Sequence, residues 1–148
     1  MATVNLYLNF NGNTEEAFAF YQSVFGAAFT AFQRFKDTPD GGNMPTHERE
    51  KIMHVALPIG PGVALMGTDI PESMQKVTFG TNFSISLDAR SLAEATQLYR
   101  ALSAGGQATM PLEKMFWGAY FGTLTDRFGV QWMVNYDDQA GQSDHVEA

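Results

Sequence analysis

The two halves of the chain repeat one short pattern. Segment 16–22 (EAFAFYQ) aligns with segment 94–100 (EATQLYR), in which Glu, Ala and Tyr recur 78 positions further along. A later segment, 63–66 (VALM), is echoed by 130–133 (VQWM), at the shorter offset of 67 positions. The unequal offsets indicate two units with one order of elements and different loop lengths. Such a duplication constrains the fold, because two copies can pack into one body and enclose a cleft between them.

The length and composition suit one domain, or two small modules that share a core. The chain has 148 residues, of which 45% are hydrophobic. The 12 Phe and 8 Met residues are more typical of core packing than of a special apolar site. The net charge of −7 disfavours a nucleic-acid partner or an anionic membrane surface, because both need a basic footprint.

The residue types that are missing narrow the chemistry further. Cysteine is absent, which excludes disulfides, thiolate zinc sites and a cysteine nucleophile. The first residues lack the basic and apolar regions of a signal peptide, and no apolar run has membrane-spanning length. We therefore expect a cytoplasmic protein with no membrane partner.

The first half predicts one helix and four strands. Alternating apolar residues indicate a strand over 4–10, and Thr14 is the predicted N-cap of a helix over 14–25. Its predicted inner face consists of Ala17, Phe20, Tyr21 and Val24. Further strands are predicted at 28–35, 51–59 and 63–68. The polar stretch 37–50 is long for a loop, so it is either mobile or a lid.

The second half predicts the same order of elements. A strand over 82–87 precedes a helix over 91–104, which begins with Ser91 and Glu94 in the spacing of a capping box. Strands follow near 107–112, 119–125 and 130–136. The prediction is an α+β protein of two βαβββ modules with mostly antiparallel pairing.

This organisation and several motifs resemble the PhnB-like branch of the glyoxalase / bleomycin resistance / dioxygenase (vicinal oxygen chelate) superfamily. The resemblance implies a single glyoxalase-like domain over 1–148, whose curled sheets form a cleft, and a homodimer. We place the first module at 3–69, a connection at 70–80, the second module at 81–137 and a polar tail at 138–148. The matching motifs are LNFNGN (8–13), EA (16–17), FY (20–21), HV (54–55), Met66 with Asp69, MFWG (115–118) and DRFGVQW (126–132).

The metal pattern that the resemblance implies does not match this sequence. Superfamily enzymes hold a divalent metal with His, Glu or Gln from the first and last strands of each module. The predicted first strands contain none of these, and the last strands carry Met66 and Met133, with Gln131 in an ambiguous position. Methionine is a poor ligand for such metals. We expect no metal ligands and no cofactor; the alternative is zinc, manganese, nickel or iron in a degenerate site.

His54 is the candidate catalytic residue. It interrupts the apolar run 52–57, and as a functional group it is a general base, a hydrogen-bond donor or a single metal ligand. The alternative is a buried structural histidine. The candidate ligand-binding residues are Met66, Phe116, Trp117, Tyr120 and Trp132, although the aromatic cluster also suits a plug against a dimer partner.

The remaining ionisable residues have no metal-site spacing. His47, in the polar loop, and His145, in the tail, are interpreted as surface residues. Asp126 is interpreted as a turn-stabilising residue next to Gly129. The acidic residues are scattered, and no His-x-x-x-His, His-x-His or Asp-x-Asp spacing occurs; they include Glu48, Glu50, Asp69, Glu72, Asp88 and Glu113.

Three functions remain open at this point. The first is a small-molecule-binding protein, and the second is a divalent-metal lyase, isomerase or dioxygenase with a degenerate site that uses His54. The third is a protein-interaction module. Whether the protein is an enzyme stays undecided. The methyltransferase label found in this branch is not expected, because the chain has no Gly-rich strand-to-helix loop for S-adenosylmethionine.

Overall fold

The computed structural model describes residues 1–138 and divides into two compact units. Unit 1 is Met1–Thr78 and unit 2 is Phe79–Ala148. Each described unit contains one α-helix and one four-stranded sheet. Except for Asp138, the predicted polar tail lies outside the described residues, and so does His145.

Unit 1 is built in the order βαβββ. Its elements are β1 (Leu6–Phe10), α1 (Thr14–Phe25), β2 (Ala31–Arg34), β3 (Ile52–Gly60) and β4 (Val63–Asp69). The strand order in the sheet is β1-β4-β3-β2. The β1–β4 pair is parallel, and the other two pairs are antiparallel. Helix α1 packs on β3 and β4 and covers one face of the sheet.

Unit 2 repeats this plan. Its elements are β5 (Ile85–Asp88), α2 (Leu92–Ser103), β6 (Gln107–Lys114), β7 (Tyr120–Thr125) and β8 (Gln131–Tyr136). The strand order is β5-β8-β7-β6, again with a parallel pair of the first and last strands. The two helices have 12 residues each and start 78 positions apart, so the repeated sequence segments lie on equivalent helices. The predicted α+β fold of two βαβββ modules is confirmed.

The core of unit 1 corrects two details of the helix prediction. Phe18 is fully buried and lies edge-on to Tyr21, with ring centroids 5.4 Å apart, whereas Phe20 is only half-buried. Thr14 is the first helical residue and not the N-cap, which is Asn13. The Thr14 hydroxyl donates instead to the carboxylate of Asp69 at 2.7 Å, because β4 ends beside the start of the helix.

The start of α2 follows the prediction with one difference. The Ser91 hydroxyl accepts a hydrogen bond from the backbone N–H of Glu94 at 3.0 Å, as an N-cap residue does. The Glu94 carboxylate, however, accepts from the backbone N–H of Arg90 at 2.9 Å. The reciprocal half of the capping box is therefore made one residue earlier than expected.

Several predicted strands were too long at their starts. β1 begins at Leu6, β2 at Ala31 and β5 at Ile85. The Thr30 N–H still donates to the Ala56 carbonyl at 3.0 Å, so the bonding to β3 reaches one residue beyond the start of β2. Within residues 1–138, no helix combines the length and the apolar character that a membrane span requires.

The segment between β2 and β3 has its own hydrogen-bonded structure. It contains three short 3₁₀ turns, Phe35–Asp37, Gly41–Asn43 and Thr46–Glu48. The Arg49 guanidinium donates to the carbonyls of Met44 and Gly42, at 2.9 and 3.0 Å. These bonds fix the backbone path that brings the third turn next to the chain after β4.

Candidate functional site

One face of the first sheet gathers the residues around His54. In the strand register, Tyr7 lies opposite Met66, Met66 opposite Ala56, and Gln33 opposite His54. The alternate residues of these strands, such as Leu8 and Leu65, point to the face that α1 covers and are buried. We call the five residues Tyr7, Gln33, His54, Ala56 and Met66 the His54 face.

Tyr7 and His54 form a pair on this face. The Tyr7 hydroxyl lies 3.2 Å from His54 Nδ1, and the rings are inclined by 26° with centroids 5.8 Å apart. Tyr7 is 47% exposed and His54 is half-buried. When the hydroxyl donates to Nδ1, the neutral imidazole carries its proton on Nε2. Nε2 has no hydrogen-bond partner among residues 1–138, so it is available as a donor to another molecule.

Tyr7 was missed as a partner of His54 in the sequence. Tyr7 lies between Leu6 and Leu8 in β1, so its side chain points to the face of the sheet that α1 does not cover. The signal was therefore present, but the parallel pairing of β1 with β4 is needed to bring Tyr7 near His54. Sequence alternation gives the face of a strand and not its neighbours.

The strand positions implied for a superfamily metal do not supply a ligand set. In unit 1, the first and last strands offer Tyr7, Asn9, Met66 and Thr68 on the His54 side. In unit 2, the corresponding β5 and β8 positions offer Ser86, Asp88, Met133 and Asn135, and Asp88 accepts a hydrogen bond from Asn135 at 3.2 Å. The Gln131 amide donates to the Phe83 carbonyl at 2.6 Å. Within residues 1–138, His54 belongs to no group of three metal-binding side chains, so this donor set does not fit the superfamily metal.

The predicted aromatic cluster lies in unit 2, at and after the β6–β7 turn. Phe116 is 97% exposed and Trp117 is 56% exposed, and the two rings are edge-on with centroids 4.9 Å apart. Tyr120 stacks on Tyr136, with centroids 6.4 Å apart. Two large apolar side chains at a turn are therefore presented to the solvent.

Trp132 occupies a different environment. It is completely buried in unit 2, and its indole N–H donates to Asp126 Oδ2 at 2.8 Å. Asp126 Oδ1 accepts from the backbone N–H groups of Phe128 and Val130, as the predicted turn role requires. This packing leaves Trp132 no surface for a ligand, because its side of β8 faces α2 and the next residue, Met133, takes the opposite side.

A second group of polar residues was not recognised in the sequence. The potential ligand atoms of His47, Glu48 and Glu72 all lie within 4.8 Å of one another. His47 Nε2 is 2.8 Å from Glu72 Oε2, and this hydrogen bond, followed by the charge of His47, lowers the pKa of Glu72. Lys51 Nζ is 3.8 Å from Glu72 Oε1. Glu48 and Glu72 are 24 positions apart, which matches no motif, and only the fold brings the two residues together.

Beside this group is a cavity of about 330 Å³, which is wholly within unit 1. Two lysines and one carboxylate are among its lining residues, which gives it a mixed charge. The lining consists of Asn11, Lys51, Ile70, Pro71, Glu72, Met74 and Lys76.

Comparison with known proteins agrees with the fold. A family model described as the Glyoxalase/Bleomycin resistance protein/Dioxygenase superfamily matches residues 3–134. Protein YjdN of Escherichia coli (strain K12) is 30% identical over 137 residues, which cover 87% of this chain and 91% of YjdN.

Two solved structures share the two-module architecture. Protein PA1353 from Pseudomonas aeruginosa is 42% identical, with a TM-score of 0.81 over 93% of this chain and 98% of that one. A PhnB protein from Bacillus cereus is 24% identical, with a TM-score of 0.74 over 91% and 99% of the two chains, and supports the fold alone. The chain belongs to the Glyoxalase/Bleomycin resistance protein/Dioxygenase superfamily.

Proposed function

We propose that this protein binds a small organic molecule on the His54 face. The observation that carries the proposal is the Tyr7–His54 pair, in which the imidazole Nε2 has no partner among residues 1–138. An imidazole held by a neighbouring ring loses less rotational freedom on binding than an unsupported one. The pair is therefore a preformed polar anchor on an otherwise mixed surface.

The neighbours of the pair indicate the class of ligand. Met66 supplies apolar contact, and a thioether adapts well to aromatic rings. Gln33 adds an amide that both donates and accepts hydrogen bonds. A few polar groups on an apolar lining are typical of small-molecule sites. We expect an aromatic or amphipathic molecule with an oxygen that contacts His54, such as a phenol or an aromatic carboxylate.

A catalytic role of His54 is part of the same proposal and depends on the ligand. The imidazole Nε2 can exchange a proton with a bound oxygen, which is the chemistry of a general acid or base. The alternative of a metal-dependent lyase, isomerase or dioxygenase at this face lacks supporting donors within residues 1–138. Binding is therefore the first property to measure.

The histidine ring signals in an NMR titration test the proposal. The full chain is titrated with a panel of phenols and aromatic carboxylates, and the His54 signal is assigned with the His54→Gln variant. A binding probe is expected to shift the His54 signal saturably and to bind Tyr7→Phe more weakly. Probes that bind without moving this signal, or that bind His54→Gln with unchanged affinity, would refute the proposal.

The exposed aromatic turn supports a second candidate, a self-association surface. Phe116 and Trp117 present apolar area at a turn, and exposed aromatic residues are enriched at interfaces. The molecular masses of wild type and Trp117→Ala are compared by light scattering after size-exclusion chromatography. A dimer that becomes a monomer, with probe binding unchanged, favours the interface role. An unchanged mass with weakened probe binding assigns Trp117 to the ligand site instead.

A further inference from the structure

The third 3₁₀ turn and the segment after β4 place three metal-binding side chains together. His47 and Glu48 are consecutive in the turn Thr46–Glu48, and Glu72 follows β4 by three residues. Their nearest ligand atoms lie within 4.8 Å of one another, and His47 Nε2 is 2.8 Å from Glu72 Oε2. This group is separate in residues and in elements from the His54 face.

Glu48 distinguishes the group from an ordinary surface ion pair. It is only 3% exposed, and its Oε1 accepts one hydrogen bond, from the backbone N–H of Glu72 at 2.7 Å. Within residues 1–138 it forms no ion pair, and Oε2 accepts no hydrogen bond. In the described residues, every side-chain oxygen that is fully shielded from solvent has a hydrogen-bond partner. Because Oε2 of Glu48 has none, this oxygen is still in contact with solvent. A carboxylate this deeply placed is stabilised by a cation or a metal.

The local charge balance also favours a cation. Glu48 and Glu72 place two carboxylates within a few ångströms of each other. The nearby positive charge is Lys51, which lies 3.8 Å from Glu72 and forms no ion pair with Glu48 within the described chain. A divalent cation between the carboxylates would remove their mutual repulsion.

The backbone around the group is already held in place. The Glu48 N–H donates to the Pro45 carbonyl at 2.9 Å, and the Lys51 N–H donates to the Glu48 carbonyl at 3.1 Å. The bond from the Glu72 N–H to Glu48 connects the two chain segments directly. Binding here would therefore require little ordering of the backbone, which favours affinity.

We propose that His47, Glu48 and Glu72 form a binding site for one divalent transition-metal ion of the zinc class. One imidazole and two carboxylates suit zinc or a similar borderline metal better than calcium, which prefers oxygen ligands alone. Three protein ligands leave a fourth tetrahedral position for water or for an anionic ligand atom. The adjoining cavity, with Lys51 and Lys76 in its lining, offers space for such an anion.

Zinc binding to the metal-stripped, tag-free full chain tests this site. Isothermal titration with ZnCl₂ is expected to give one equivalent per chain, and equilibrium dialysis with elemental analysis should give the same number. His47→Gln and Glu72→Gln should each weaken binding by roughly tenfold or more, because even outer-shell partners of a metal contribute that much. Both residues are exposed, so these variants retain the fold.

Two controls separate this site from the His54 face and from nonspecific charge. His54→Gln removes a histidine outside the group and should leave zinc affinity unchanged. Lys51→Gln removes a competing positive charge and should tighten binding. The proposal would be overturned if the wild type bound no zinc, or if His47→Gln and Glu72→Gln bound zinc as tightly as the wild type does. A loss of zinc affinity confined to His54→Gln would also overturn it.

Discussion

Asp69 at the end of β4 holds the first residue of α1, Thr14. Asp69 Oδ1 accepts hydrogen bonds from both the backbone N–H and the hydroxyl of Thr14, at 3.0 and 2.7 Å. The second oxygen, Oδ2, accepts from the backbone N–H of Ile52 at 2.8 Å. One buried carboxylate thus connects the helix start, the beginning of β3 and the end of β4.

Replacing Asp69 should therefore weaken the whole of unit 1. Asp69→Asn removes the charge and one acceptor oxygen, which leaves a buried donor facing N–H groups. We expect a loss of about 2–4 kcal/mol in the free energy of unfolding, since hydrogen bonds to charged groups and unsatisfied buried groups are the costly cases. Urea denaturation measures this loss in the free energy of unfolding. Asp88→Asn, at an exposed position, is the matched control and should be close to wild type. Equal stability of the two variants would contradict this role.

Gly67 is required by the packing of α1 on the sheet. A Cβ at this position would lie 2.5 Å from Phe18 Cε1 and 3.3 Å from the Leu8 carbonyl oxygen. Gly67→Ala should cost about 1–3 kcal/mol, because Phe18 is fully buried and packs edge-on against the ring of Tyr21. Gly60→Ala on β3 meets nothing within 4 Å and should change stability by less than about 0.5 kcal/mol. Thermal melts of the two variants compare them, and a smaller loss for Gly67→Ala than for Gly60→Ala would refute the packing argument.

The two tryptophans should differ in fluorescence. Trp132 is fully buried and bonded to Asp126, whereas Trp117 is 56% exposed. Trp117→Phe should therefore leave blue-shifted emission that acrylamide quenches poorly. Trp132→Phe should leave red-shifted, easily quenched emission and lower stability by about 1–3 kcal/mol, because a buried carboxylate oxygen loses its donor. The opposite pattern of quenching would contradict the placement of these residues.

The Glu15–Arg34 ion pair predicts a small pH dependence of stability. Arg34 donates to both carboxylate oxygens of Glu15, at 2.8 and 2.7 Å, and these hydrogen bonds lower the pKa of Glu15 from its ordinary value of 4.5. A lowered folded-state pKa stabilises the protein above pH 4.5, and the contribution disappears as the pH falls through the lowered value.

Glu15→Gln measures this contribution. The Glu15 side chain is 56% exposed, so solvent screening keeps the difference at pH 7 below about 1 kcal/mol. The difference from wild type should shrink as the pH falls below 4.5 and also in high salt. A difference that grows on acidification would show that the pair does not act in this way.

The fold could be predicted well from the sequence, because the hydrophobic patterns that indicate strands and helices are local. Hydrophobic alternation and the helical repeat gave the order of elements, and α1 agrees with its prediction at both ends. The strand starts were less accurate, because alternation in the sequence does not show where the pairing with a neighbouring strand begins. The helical pattern did not show that Phe18, and not Phe20, is the buried phenylalanine of α1, because the two residues are both aromatic and only two positions apart.

The candidate site could be predicted only in part. His54 was identified because it interrupts an apolar strand, but its partner Tyr7 depends on the long-range β1–β4 pairing. The group of His47 and Glu72 depends on a contact across 25 residues, which no spacing rule records. Trp132 was predicted to contact a ligand, but its side chain points into the core of unit 2. There its indole bonds to Asp126, which also stabilises the turn before β8.

Ligand binding at the His54 face can be tested by measuring the affinity of one probe for three proteins. The tightest phenol or aromatic carboxylate from the NMR panel is titrated calorimetrically into wild type, His54→Gln and His47→Gln. We expect His54→Gln to weaken binding by roughly tenfold, or about 1.4 kcal/mol, and His47→Gln to bind as wild type does. Wild-type affinity in His54→Gln, or a loss in His47→Gln alone, would contradict it.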